Sequence, residues 1–74
     1  MRYDELDMIV LTRDFPELAL RTGDIGVIVM LYDETMVEVE FRSPIGAEPT
    51  ITAVPVNAMR KAHEIDFQRA TPPA

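Results

Sequence analysis

Ile25-Gly26-Val27-Ile28-Val29-Met30-Leu31-Tyr32-Asp33-Glu34-Thr35-Met36-Val37-Glu38-Val39-Glu40-Phe41-Arg42 is the stretch on which the fold turns. Ile25 to Tyr32 is nearly all apolar, the pattern of a strand at the centre of a small barrel. Asp33-Glu34-Thr35 is a short polar break. From Met36 to Arg42 apolar and charged residues alternate. Period-2 geometry therefore puts Val37, Val39 and Phe41 on one face and Glu38, Glu40 and Arg42 on the other. Two strands joined by so short a break form an antiparallel hairpin with an acidic outer surface. Gly26 marks a bulge or a sharp bend in the first of them.

Upstream, Leu6-Asp7-Met8-Ile9-Val10-Leu11-Thr12 has strand length and composition, and Arg13-Asp14-Phe15-Pro16-Glu17 ends it with turn and proline chemistry. The loop continues through Leu18-Ala19-Leu20, whose leucines can reach back onto a core. Gly23 then provides a turn position with positive φ. Downstream, Ser43-Pro44-Ile45-Gly46-Ala47-Glu48-Pro49 is a longer loop, and Thr50-Ile51-Thr52-Ala53-Val54 is a fourth strand that Pro55 ends or confines to an edge. Asn57-Ala58-Met59-Arg60-Lys61 fits one helical turn, capped by Asn57, running into a short last strand. The expected fold is all-β: a small barrel or curled sheet of four to five antiparallel strands, with a short helical turn near the C-terminus. Residues 1–62 form this single domain. Residues 63–74 are expected to be a tail, partly disordered or pairing through Ile65 and Phe67 as an edge strand.

The chain has 74 residues, 47% apolar and 27% charged, which places it among ordinary folded proteins. Thirteen acidic residues against 7 basic ones give a net charge of −6, a field that repels phosphate backbones and anionic membranes. The absence of cysteine excludes disulfides, thiolate metal sites and thiol catalysis, and a single histidine leaves little for acid–base work near neutral pH. So small a domain has a net stability of about 4–11 kcal/mol and needs its apolar residues for packing, so function is expected on the surface. The apolar run Met8 to Leu11 is far too short for a signal-peptide core or a membrane span, and a cytoplasmic location with no membrane partner is expected.

The succession Asp7-Met8-Ile9-Val10-Leu11, Asp14-Phe15-Pro16-Glu17, Leu20-Arg21-Thr22-Gly23-Asp24-Ile25-Gly26-Val27-Ile28-Val29 and Val37-Glu38-Val39-Glu40-Phe41 resembles a family of small bacterial proteins known as domain of unknown function 4926. The resemblance spans about residues 4 to 62. Its specific element is a "D-x-P-E" loop followed by "G-D-x-G-x-I-V" and then "V-E-V-E-F". It implies a Src-homology-3-like or KOW-like barrel and supplies no catalytic residues. After Phe41, where Pro44 and Pro49 flank the loop, the chain departs from the family's pattern.

Candidate chemistry is sparse. Glu38 and Glu40 stand roughly 6.5–7 Å apart by strand rise, a separation that inverting glycosidases use, but glutamates alternating with valines are what a solvated strand face presents. His63, Glu64 and Asp66 carry metal-ligand chemistry, yet adjacent residues on an extended chain point apart and no second histidine is present. Ser43 and His63 are the only serine and histidine and Lys61 the only lysine; Ser43 before Pro44 is explained by turn chemistry. Gly23-Asp24-Ile25-Gly26 is too short and too acidic to cradle a phosphate. No catalytic residue, metal or cofactor is expected.

What remains is binding. The expected function is a non-enzymatic protein–protein interaction module that meets an unidentified basic partner protein, in the manner of an antitoxin, immunity or inhibitor protein. Its contact surface is Asp33, Glu34, Glu38 and Glu40. Asp14, Phe15 and Glu17 form a second region in which Phe15 is either an apolar anchor or a core residue. The alternative is a KOW-like RNA-binding or ribosome-associated module using Arg60 and Lys61, with Arg42 beside them, which the charge balance disfavours. Recognition of proline-rich helices needs an aromatic-lined groove, which a chain without tryptophan and with only Tyr3 and Tyr32 as tyrosines cannot build. An edge strand, or the tail through Ile65 and Phe67, can also join two copies as a homodimer.

Overall fold

The computed structural model describes residues 2–42 and 48–70. Alternation in the sequence becomes strand β3 (Met36–Phe41), in which Val37 and Val39 are fully buried, Phe41 is nearly so, and Glu38 and Glu40 face the other way. Strand β2 (Ile25–Leu31) pairs with it from Gly26↔Phe41 to Leu31↔Val37. Strand β1 (Met8–Leu11) lies along the other side of β2, and strand β5 (Met59–Lys61) lies beyond it. Strand β4 (Thr50–Pro55) flanks β3. All pairings are antiparallel, giving one five-stranded sheet in the order β4-β3-β2-β1-β5. A 3-10 turn at Val56–Ala58 joins the two edge strands, and helix α1 (Glu64–Ala70) follows the last. The fold is all-β with one short helix near the C-terminus.

The sheet curls around a core of Ile9, Leu11, Leu20, Ile28, Val37, Val39, Phe41, Val54, Ala58 and Met59. Leu20 reaches this core from the loop between β1 and β2, as its position in the sequence suggests, and Phe15, Leu18 and Leu31 pack against it. Gly23 does take a positive φ, of 96°. No helix among the described residues is long and apolar enough to cross a membrane.

Four local expectations differ from the structure. The first strand begins at Met8 rather than Leu6, because Leu6 adopts φ 74° in a turn closed by Asp7 N–H donating to the Asp4 carbonyl. Gly26 is not the bulge. The register of β2 against β3 shifts between Ile28 and Met30, around Val29, and Gly26 instead lets Val39 and Phe41 close over its backbone. Asn57 does not cap the C-terminal turn; it lies inside it, and Pro55 precedes it with no side-chain cap. Finally, Glu64–Ala70 is helix rather than an edge strand. Ile65 and Phe67, which suggested a strand, are both exposed, and Asp66 between them is the buried residue. The loop residues 43–47 and the tail residues 71–74, including Ser43, lie outside the described residues.

Candidate functional site

Strand parity and register together define the outer face of the sheet. Glu40 stands opposite Val27 on β2 and Ile51 on β4, and Val27 stands opposite Met8 on β1. A row Met8, Val27, Glu40, Ile51 thus crosses four strands, with neighbours about 4.5–5.5 Å apart at Cβ. A second row places Glu38 between Met30 and Ala53. Met30 reaches this face because of the bulge: Ile28 and Met30 would otherwise share the inner face, and the extra residue turns Met30 outward. The apolar run of β2 is thereby divided, with Ile28 and Leu31 inward and Val27 and Met30 outward.

The resulting surface is apolar with two carboxylates set into it. Met8, Met30 and Ile51 are exposed at 40%, 39% and 54%, which no packing need of the domain accounts for, while Glu38 and Glu40 are half-buried among them. The exposed Tyr32 hydroxyl donates a hydrogen bond to Glu38 Oε1 at 2.5 Å and fixes that carboxylate in place. The same contact raises the tyrosine pKa, because ionising the phenol would both break the bond and set two anions side by side. Glu40 has no hydrogen bond or ion pair among the described residues. Methionines beside a fixed and a free carboxylate can meet an apolar side chain and a cation on one partner surface.

The other carboxylates expected at the contact surface have local duties. Asp33 Oδ1 accepts from Thr35 N–H at 2.7 Å, Thr35 Oγ1 at 2.8 Å and Met36 N–H at 3.0 Å, and so builds the turn between β2 and β3. The Thr35 bonds hold its carboxyl below the usual range. Glu34 is exposed in that turn. Asp14 Oδ1 accepts from Thr22 N–H at 2.8 Å across the loop between β1 and β2, which lowers its pKa in the same way. Phe15 is half-buried against the core with the Arg13 guanidinium 5.3 Å from its ring centroid, and its backbone bridges to Leu20. Its ring packs against the core from the loop without joining the buried cluster. Glu17 is exposed in the 3-10 turn Pro16–Leu18. This loop enters β2 at Ile25, whereas Asp33 and Glu34 leave it after Leu31; the two expected regions are separated by the length of β2, roughly 20 Å.

The cations of the alternative reading are paired. Arg60 binds both carboxylate oxygens of Asp66 at 2.7 and 2.8 Å, and Lys61 stands 3.8 Å from Asp7 and 5.7 Å from the Tyr3 ring centroid. Asp66 is thereby engaged by Arg60 rather than grouped with His63 and Glu64 for a metal, and no ligand cluster of three or more occurs among the described residues. An open groove runs beside the β1–β2 loop past Arg21, Arg42 and Arg60, and of these three cations Arg60 is held by Asp66.

Sequence reading missed Met8, Val27, Met30, Tyr32 and Ile51 as parts of the site. The signal for Met8, Val27, Met30 and Ile51 was cross-strand register, that for Tyr32 its hydroxyl bond to Glu38, and the bulge at Val29 that turns Met30 outward leaves no mark in an unbroken apolar run.

No curated protein and no solved structure matches the chain. A family model does: residues 5–59, which include β1 to β4, match the domain of unknown function DUF4926, and the chain belongs to that family.

Proposed function

We propose that the protein is a non-enzymatic interaction module that binds a basic partner protein in the cytoplasm through the outer face of the β2–β3 hairpin. The observation that carries this reading is Glu40, half-buried between Val27 and Ile51 with no counter-charge among the described residues. A lysine or arginine from a partner would supply that charge while its stem and neighbours cover Met8 and Met30. Electrostatic complementarity with a chain of net charge −6 would speed encounter with such a partner and reject acidic ones. An antitoxin, immunity protein or inhibitor with an acidic face would meet a basic target in this way. The strand order, with a 3-10 turn between β4 and β5, is compatible with the Src-homology-3-like barrel that the family resemblance implies. RNA binding has less support, because Arg60 and Lys61 already face carboxylates.

Affinity capture from the native lysate, run with the natural chain and with the Glu38→Lys/Glu40→Lys variant, tests the proposal. A protein retained by the first and lost by the second, at equal thermal stability of the two baits, is the expected result. Equal retention by both baits would remove this face from the function.

A further inference from the structure

We propose that the free edge of β4 pairs antiparallel with the same edge of a second copy, making a two-fold symmetric dimer with one continuous ten-stranded sheet. Three observations lead there. The first is the phase of the hydrogen bonds. Val56 N–H donates to the Thr35 carbonyl, and the register of β4 on β3 continues this ladder with Val54↔Val37, Thr52↔Val39 and Thr50↔Phe41. Antiparallel bonding alternates, so Thr50, Thr52 and Val54 bond toward β3, while Ile51 and Ala53 aim their N–H and C=O away from the sheet. Among the described residues nothing meets those groups.

The second observation is that the stretch of this edge between its two prolines lacks the usual protection. Thr50-Ile51-Thr52-Ala53-Val54 contains no charge and no proline, whereas edge strands ordinarily carry lysine, proline or a bulge to prevent pairing. Pro49 and Pro55 stand at its two ends and limit the pairing to these five residues.

The third is self-complementarity. With the two-fold axis at Thr52, Ile51 of each copy faces Ala53 of the other in a hydrogen-bonded pair, a large residue against a small one. Thr50 then faces Val54, and Thr52 faces Thr52 in a non-hydrogen-bonded pair. Four backbone hydrogen bonds form, and Ile51, 54% exposed in the single chain, is covered. The carboxylates nearest the junction, Glu38 and Glu40, are kept apart by the two β4 strands, roughly 14 Å across. The partner is a second copy rather than a foreign peptide because the strand complements itself at every position.

The chain lacks cysteine, which allows a direct test. Residues facing each other in a non-hydrogen-bonded pair have Cα atoms about 4.5 Å apart, within disulfide range, so Thr52→Cys should oxidise to a covalent dimer while Ala53→Cys, whose partner is Ile51, should not. Sedimentation of the natural chain should give twice its 8.4 kDa mass, and a synthetic chain with N-methylated Ala53, which removes one outward donor and blocks approach, should give 8.4 kDa. A monomeric natural chain at millimolar concentration overturns the proposal. So does a dimer that survives N-methylation, or cross-linking of Ala53→Cys in place of Thr52→Cys.

Discussion

The guanidinium of Arg60 grips the carboxylate of Asp66 with two hydrogen bonds, Nη1 to Oδ2 at 2.8 Å and Nη2 to Oδ1 at 2.7 Å, and so ties the last strand to the helix that follows it. The same carboxylate accepts from His63 N–H at 2.7 Å, while Asp66 N–H donates back to the His63 carbonyl, which closes the first turn of α1. A seven-residue helix is not stable alone in water, so this clasp carries much of its order. Asp66→Ala should therefore remove hydrogen-exchange protection from Asp66 to Ala70 while leaving β1, β2 and β3 protected. Unchanged protection of the helix would show that packing holds it instead.

Acid should weaken the domain through three carboxylates. The Arg60 hydrogen bonds, with His63 N–H second, hold Asp66 well below the usual carboxylate range; backbone N–H of Thr22 lowers Asp14, and that of Thr35 lowers Asp33. Each folded-state pKa lies below the unfolded value of about 3.9, so each contribution is fully present above that value and disappears as pH falls toward the folded pKa. Urea midpoints measured at pH 7, 5 and 3 should be level over the first interval and fall over the second. Replacing all three residues by asparagine should flatten the fall, and an equally steep decline in that variant would locate the acid sensitivity elsewhere.

Gly26 offers a test of core packing. A methyl group at this position would stand 2.5 Å from Cγ1 of Val39 and 2.8 and 2.9 Å from two ring carbons of Phe41, side chains that are themselves buried and have little room to yield. Gly26→Ala should cost about 1–3 kcal/mol in chemical denaturation. Combining it with Val39→Ala, which removes the nearest atom, should cost less than the sum of the two single changes. Additive losses would mean that backbone strain, not collision with Val39, is responsible.

The strand face itself is testable by one substitution on each side. Val39→Asp puts an unpaired carboxylate where no water reaches and should cost 3 kcal/mol or more, enough to unfold much of the population. Glu40→Leu, one residue away, replaces a half-buried carboxylate among apolar neighbours and should change the urea midpoint by roughly 0.5 kcal/mol or less in either direction. The contrast, read from paired unfolding curves, distinguishes the two faces; comparable losses would put Glu40 in the core.

That contrast also marks what was legible in the sequence. The alternation Val37-Glu38-Val39-Glu40-Phe41 states its own facing, because one strand's period needs no partner to be read, and the glycine and proline punctuation located the other strands. The site was half legible for the same reason. Glu38 and Glu40 belong to the strand that could be read alone, but Met8, Met30 and Ile51 join them only through pairing across four strands, and Val29 shifts that pairing inside a run where every residue is apolar. Asp14 and Asp33 have turn-building duties that the sequence does not announce, since a carboxylate that accepts backbone N–H groups looks in sequence like one that faces a partner. Helix α1 was hard to read because its anchor is an ion pair and the residue it buries most deeply is Asp66 rather than Ile65 or Phe67.

Leu6 is the place where the chain departs most plainly from its local preferences. It holds φ 74°, a left-handed conformation that costs a residue with a Cβ about 1–2 kcal/mol, and its side chain is 77% exposed, so packing returns little. Its N–H donates to the Ile28 carbonyl at 2.7 Å, which rules out proline but not glycine. Glycine relieves the strain and loses about 0.4–1 kcal/mol through the greater freedom of the unfolded chain. Leu6→Gly should thus stabilise the domain by about 0.5–1 kcal/mol, seen as a higher urea midpoint at an unchanged slope. Leu6→Asn, which tolerates the same φ at smaller cost than leucine, should fall between the two. A loss of stability on changing Leu6 to glycine would mean that the exposed side chain makes contacts that offset its strained backbone, and the turn would then be held by Leu6 rather than in spite of it.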